Sequence, residues 1–312
     1  MEAPKAIAIL LAFLTSAGSA QETSASSGAE DIAVENIIIT GQRMTNAQFQ
    51  WMRGFVAKVG STVNSDYGFA RIDGGACIRI YNSPKPVAEF ISKRLSTIAR
   101  EAGLEEPKAG CIPNIEIMFT GDARAVAAKL VEQQPAVFQP YGTSEGTIKG
   151  RNALYDFKTS DAAVRWWQIT VPVDRIGTPL IRINTAEENT DSNPFAGVPI
   201  MQGGNSRFIT NTRELLQGSI IIVDTSKLGS TTWDQLADYL AMVSLAEVDP
   251  RADVSDYESI LGLFTDTKPV AELSAWDKSY LKALYSINMF MKPVAQRGEL
   301  ASRLRDELEH YR

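Results

Sequence analysis

Two stretches decide the fold: CIRIYNSPKPVAEFISKRLSTIAREAG, residues 77–103, and CIPNIEIMFTGDARAVAAKLV, residues 111–131. The first opens on a strand-forming run, Cys77-Ile-Arg-Ile-Tyr81, and then changes to helical spacing. Ser83 stands as cap, with Pro84 and Pro86 in the first turn. Val87, Phe90, Ile91, Leu95, Ile98 and Ala102 fall on an inward face, and Gly103 follows the end. The second stretch repeats the alternation: Ile115-Glu-Ile-Met-Phe119 reads as a strand, and Asp122 caps a helix bearing Val126, Ala127, Leu130 and Val131. Strand, helix, strand, helix is an α/β unit, and two parallel neighbours joined this way take a right-handed crossover.

Upstream, residues 1–20 read as a cleaved secretory signal. Ala6 to Leu14 is apolar but far shorter than a membrane helix needs, and Gly18-Ser19-Ala20 places small residues before a cleavage site after Ala20. No later run is long and apolar enough to span a bilayer, so the expected location is periplasmic or secreted. Residues 21–35 lack periodicity and form a disordered lead-in, and Ile37 to Gly41 is a short strand. Phe49, Met52, Val56 and Val59 share one helical face. In an oxidising compartment Cys77 and Cys111, the chain's two cysteines, pair as a structural disulfide worth about 4 kcal/mol in the chain-entropy account. Their wide spacing is unlike that of catalytic redox pairs.

Downstream, Val164 to Val173 alternates, with Trp167, Ile169, Val171 and Val173 on one face. Asp174 to Pro179 turns it into Leu180-Ile-Arg-Ile183, an antiparallel hairpin. The neighbouring Trp166 and Trp167 point to opposite faces, so both reach a core if helices cover both sides of the sheet. Glu187 to Asn205 is a long polar segment with an apolar tip, Phe195, Val198, Ile200 and Met201, which suits a ligand lid or docking loop. Ser219 to Val223 is a strand, Trp233 to Val248 a helix stopped by Asp249-Pro250, and three further helices complete the chain. The expected organisation is an α/β subdomain over 36–140 and a mixed-sheet and helical subdomain over 141–312.

The chemistry is bounded by what the composition lacks. The single histidine, His310, lies in the charged tail, so no imidazole is available in the core for a catalytic triad or a hydrolytic zinc site. Gly142-Thr-Ser144-Glu-Gly146 spells a nucleophile-elbow pattern without the strand before it and helix after it that the turn requires. Ser279-Tyr-Leu-Lys282 spells the serine–lysine pattern, in which a lysine base would replace imidazole, but its companion motifs are missing. Acids at 187, 188, 191, 249, 253, 256 and 258 lack calcium-loop spacing. Thr231 with Asp234, Ser255 with Glu258 and Ser274 with Asp277 read instead as helix capping boxes. A net charge of −6 without a basic stripe excludes nucleic acid as a partner. No cofactor or metal is expected.

Residues 77–138 and 206–285 resemble an uncharacterised family of exported proteobacterial proteins. The likeness rests on Cys77-Ile-Arg-Ile, Cys111-Ile-Pro-Asn-Ile-Glu-Ile, Gln235-Leu-Ala-Asp-Tyr239-Leu-Ala-Met242 and Leu273-Ser-Ala-Trp-Asp277. It departs at Ile78, where relatives carry proline. In the second half, a strand, a helix and Asp277-x-x-x-Leu281-x-x-Leu284-Tyr285 are similar in order to zincin metallopeptidases of the matrixin kind. The helix that would carry His-Glu-x-x-His reads Gln235-Leu-Ala-Asp-Tyr239, so this resemblance implies a degenerate zincin-like half without its metal. The expected fold is α/β or α+β, a mixed sheet packed by helices with one disulfide. The expected role is a non-catalytic binding or envelope-associated protein whose partner is a protein or small-molecule ligand. A hydrolase using Ser279 with Lys282, or a carboxylate pair, is the alternative.

Overall fold

The computed structural model describes residues 45–60, 68–138, 151–180, 209–265 and 269–310. The signal-like run, the lead-in, the 37–41 strand, the Gly142–Gly146 pattern and the 187–205 segment with Phe195, Val198, Ile200 and Met201 lie outside them. All described residues belong to one compact unit, Ile38–Arg312.

Helix α1 (Asn46–Val59) precedes the unit read from sequence: β1 (Ile78–Tyr81), α2 (Lys85–Glu101), β2 (Ile115–Thr120) and α3 (Ala123–Gln133). There follow α4 (Arg151–Thr159), β3 (Val164–Val173), β4 (Arg213–Asp224), α5 (Trp233–Leu245), α6 (Ala275–Ser286) and α7 (Pro293–His310). The strands form one mixed sheet in the order β1-β2-β4-β3. β1, β2 and β4 are parallel, and β3 lies antiparallel on β4. The 36–140 and 141–312 segments thus each contribute two strands to the same sheet.

Helices cover both faces of that sheet, which explains why Ile220-Ile-Ile-Val223 is a continuous apolar run with every residue buried. On one side, Ile115, Ile117, Trp166, Ile221 and Val223 pack with Phe55, Leu95, Leu236, Leu240 and Tyr280 from the surrounding helices. On the other, Trp167, Ile220 and Ile222 pack with Ala123, Ala127, Phe138 and Phe157. The two adjacent tryptophans therefore enter two different cores.

The disulfide is formed, with Cys77 and Cys111 Cα atoms 6.2 Å apart. Asn114 reinforces it: its Oδ1 accepts from Cys77 N at 2.8 Å and its Nδ2 donates to Gly75 O at 3.0 Å. Together they hold the leading ends of β1 and β2 side by side. Alkylation of the denatured, unreduced protein is expected to modify no cysteine, and prior reduction to expose both. Labelling without reductant would contradict the bridge.

Several local expectations shift. Ser83 is not the cap of α2: Pro84 occupies that position, and among the described residues Ser83 Oγ donates only to Pro84 O. Phe90 is 39% exposed rather than inward. The turn after β3 does reverse the chain, with Leu180 N donating to Pro172 O at 2.8 Å, yet the long antiparallel partner of β3 is β4. β4 begins at Arg213, six residues before the expected strand, because it pairs with the whole of β3. Helix α5 stops at Leu245, short of Val248; Ala246 is extended and the carbonyls of Ala246 and Val248 are taken by Gln168 and Trp166. After α5 the described residues form a 3-10 helix, Ile260–Gly262, and two α-helices. Of the three capping boxes, Ser274–Asp277 forms. The box at α5 is one residue along, Thr232 with Gln235, because Gln235 Nε2 can also donate to Val270 O. Ser255 and Glu258 start no helix, and Asp253 accepts from Ser255 instead.

Candidate functional site

β3 ends the described sheet on the side opposite β1, and a cleft of about 320 Å3 runs beside its first half. Seven successive residues, Ala162 through Gln168, line it. Side chains of a strand alternate between faces, so such a run can border one cleft only if the cleft lies along the strand's edge. Its walls confirm that geometry. One wall is Phe157 of α4 with Trp167, ring centroids 5.9 Å apart. The other is Trp166, Tyr239 and Phe264 in a chain of edge contacts at 6.2 and 5.1 Å.

Polar groups are held among these rings. Gln168 is 2% exposed; its Nε2 donates to Val243 O and Ala246 O, while Oε1 has no hydrogen-bond partner. Arg165 is 3% exposed and closes the C-terminal end of α4. It donates to Phe157 O at 3.0 Å and Ser160 O at 2.7 Å, and its Nε is left without a partner. Burial lowers the guanidinium pKa from its ordinary value, against the pull of Asp224. Burial likewise pushes the Tyr239 phenol up, so it stays protonated. At the rim Asp156 pairs with Arg251 at 2.6 Å, and Asp249 accepts from Arg251 N. Both lining carboxylates are thus engaged. The arrangement offers aromatic surface and fixed donors and acceptors, which is the chemistry of recognition.

The residues singled out from sequence lie elsewhere. Ser279 is fully buried and its Oγ has no hydrogen-bond partner; Lys282 Nζ is 2.7 Å from Glu307, and no hydrogen bond joins the serine to the lysine. Gln235 caps α5 and Tyr239 faces the cleft wall, so they do not converge as ligands. Asp238, on the same helix, is engaged by Arg94. Among the described residues no group of His, Cys, Asp and Glu could hold a metal ion. Sequence reading missed Arg165 and Gln168: Gln168 falls on the face opposite Trp167, and Arg165 is a lone charge on the same face as Trp167. The signal available was a tryptophan pair between two long polar side chains. No family model, curated protein or solved structure matches this chain, so the cleft is read from its own residues.

Proposed function

We propose that this chain is an exported, non-catalytic binding protein of the cell envelope and that it takes its ligand in the cleft along β3. The observation that carries this reading is the cleft itself: about 320 Å3, of small-ligand size, walled by aromatic rings and furnished with a few buried polar groups. The disulfide supports export, since such bonds persist outside the reducing cytoplasm. The hydrolase alternative gains no support from Ser279, whose hydroxyl lies in the core without a base.

Ala162 is exposed at the cleft, so Ala162→Trp fills the space with little disturbance to the fold. The fluorescent apolar anion 1-anilinonaphthalene-8-sulfonate is expected to bind the full chain and to lose most of its signal in that variant. A fluorophosphonate probe is expected to leave Ser279 unmodified. Unchanged dye binding in Ala162→Trp would remove the cleft from consideration, and labelling of Ser279 would restore the hydrolase.

A further inference from the structure

Resting on that reading of the cleft, we infer that its ligand is a small uncharged ring compound with a carbonyl-type acceptor, which takes the hydroxyl hydrogen of Tyr239. Tyr239 is 7% exposed and lines the cleft, and among the described residues its oxygen takes part in no hydrogen bond. Buried hydroxyls almost always have a partner, and one left without it costs stability. The fold therefore gains nothing from this oxygen. The ring that carries it is different: it packs against Trp166 and Phe264 with centroids 6.2 and 5.1 Å apart, which fixes where the hydroxyl stands. Phenylalanine would make the same contacts.

The class of ligand follows from the rest of the lining. Its charged residues are Asp156, Arg165, Asp249 and Arg251, two of each sign. Asp156 is paired with Arg251, Asp249 accepts from Arg251 N, and Arg165 is spent on the carbonyls of Phe157 and Ser160. An ionised ligand would enter without a counter-charge, so a neutral one is favoured. The walls are aromatic on both sides, and ring surfaces pair best with another flat ring. A volume of about 320 Å3 keeps that ring system small. The indole N–H groups of Trp166 and Trp167 are already given to Val248 O and Val137 O at 3.1 and 3.0 Å, and Gln168 Oε1, though unpartnered, is enclosed. Within the aromatic walls the Tyr239 hydroxyl is thus the polar handle left for a ligand. A phenol donates better than it accepts, because its lone pair is drawn into the ring, and burial keeps its proton in place. Its complement is a neutral acceptor, of which a ring ketone is the simplest.

The test uses 1-indanone and its parent hydrocarbon indane, which share a ring frame and differ at the carbonyl. Their affinities for the full chain and for its Tyr239→Phe variant are measured by equilibrium dialysis. The natural protein is expected to hold 1-indanone about 10-fold more tightly than the variant does, the worth of one neutral hydrogen bond, with indane bound equally by both. The urea midpoint of Tyr239→Phe is expected to equal or exceed that of the natural protein, since the hydroxyl serves no bond of the fold. Failure of 1-indanone to bind, no loss of its affinity in the variant, parallel weakening of both compounds, or a lower midpoint in the variant would each overturn the assignment. If dye binding still depends on Ala162 in that event, the cleft remains a binding site for another kind of ligand; if it does not, both readings fall together.

Discussion

Asp238→Ala is expected to lower the free energy of unfolding by about 4 kcal/mol, and Arg94→Met by about 5 kcal/mol. Asp238 is fully buried within α5 and receives Arg94 Nε at 2.6 Å, Arg94 Nη2 at 2.9 Å and Leu273 N at 2.7 Å. The pair ties α2 to α5 across the larger core, and the third bond anchors the segment that leads into α6. Both fork nitrogens are used, a geometry that strengthens the bond and keeps the guanidinium protonated, its pKa raised chiefly by the Asp238 hydrogen bonds. Removing the carboxylate leaves Leu273 N without an acceptor, but Arg94 is partly exposed and can turn to Glu272, already at 3.4 Å. Removing the arginine is worse, because it leaves a charge in the core with one amide for company. The double variant Arg94→Met with Asp238→Leu is expected to recover a good part of the loss, since replacing both partners by apolar groups removes the uncompensated charge. Urea midpoints at constant slope measure all three. A loss below about 1 kcal/mol for Asp238→Ala, or strict additivity in the double variant, would show that the pair behaves like a surface bridge.

The elements legible in the sequence are those whose signal is local. β1, α2, β2 and α3 follow from periodicity and caps, and the tryptophan pair implied two covered faces because adjacent strand residues cannot share one. Register across long separations was not legible. The turn at Asp174–Thr178 makes a complete local motif, so nothing nearby says that β3 spends its length on β4. Helix ends were misplaced where a distant side chain intervenes: Gln168 and Trp166 take carbonyls from residues that Asp249-Pro250 alone would leave helical. The same physics hides the cleft. Its lining comes from α4, β3, Tyr239 of α5, Val248 to Ala252 and the segment after Ile260, so no single stretch of sequence carries it. Asp238 reads in the sequence as an acid left without a metal partner, and nothing local names the arginine, 144 residues away, that engages it.

Asp277→Ala is expected to cost about 5 kcal/mol, as much as the loss of Arg94. The sequence marks Asp277 as the far half of a capping box, and the structure gives it twice that duty. Oδ2 accepts from Ser274 N at 3.0 Å, from Ser274 Oγ at 2.9 Å and from Ile260 N at 2.8 Å, while Oδ1 accepts from Ser259 Oγ at 2.6 Å. One buried carboxylate thus starts α6 and fixes the 3-10 turn at Ile260–Gly262. Alanine orphans four donors at once. Asparagine keeps an acceptor at the Oδ2 position and can donate to the Ser259 hydroxyl, so Asp277→Asn is expected to cost less than half as much. Burial raises the Asp277 pKa above its ordinary 3.8, with the Ser259, Ile260 and Ser274 bonds opposing. The folded protein therefore holds this proton more tightly than the unfolded chain. The associated stability is complete below the ordinary carboxylate value and is lost as pH rises through the folded one. Asparagine does not titrate, so the stability of the natural protein relative to Asp277→Asn is expected to fall as pH climbs from about 3 towards neutrality. Paired denaturation curves across that range measure it. If the natural protein instead gains on the variant as pH rises, the four donors outweigh burial and Asp277 is held ionised.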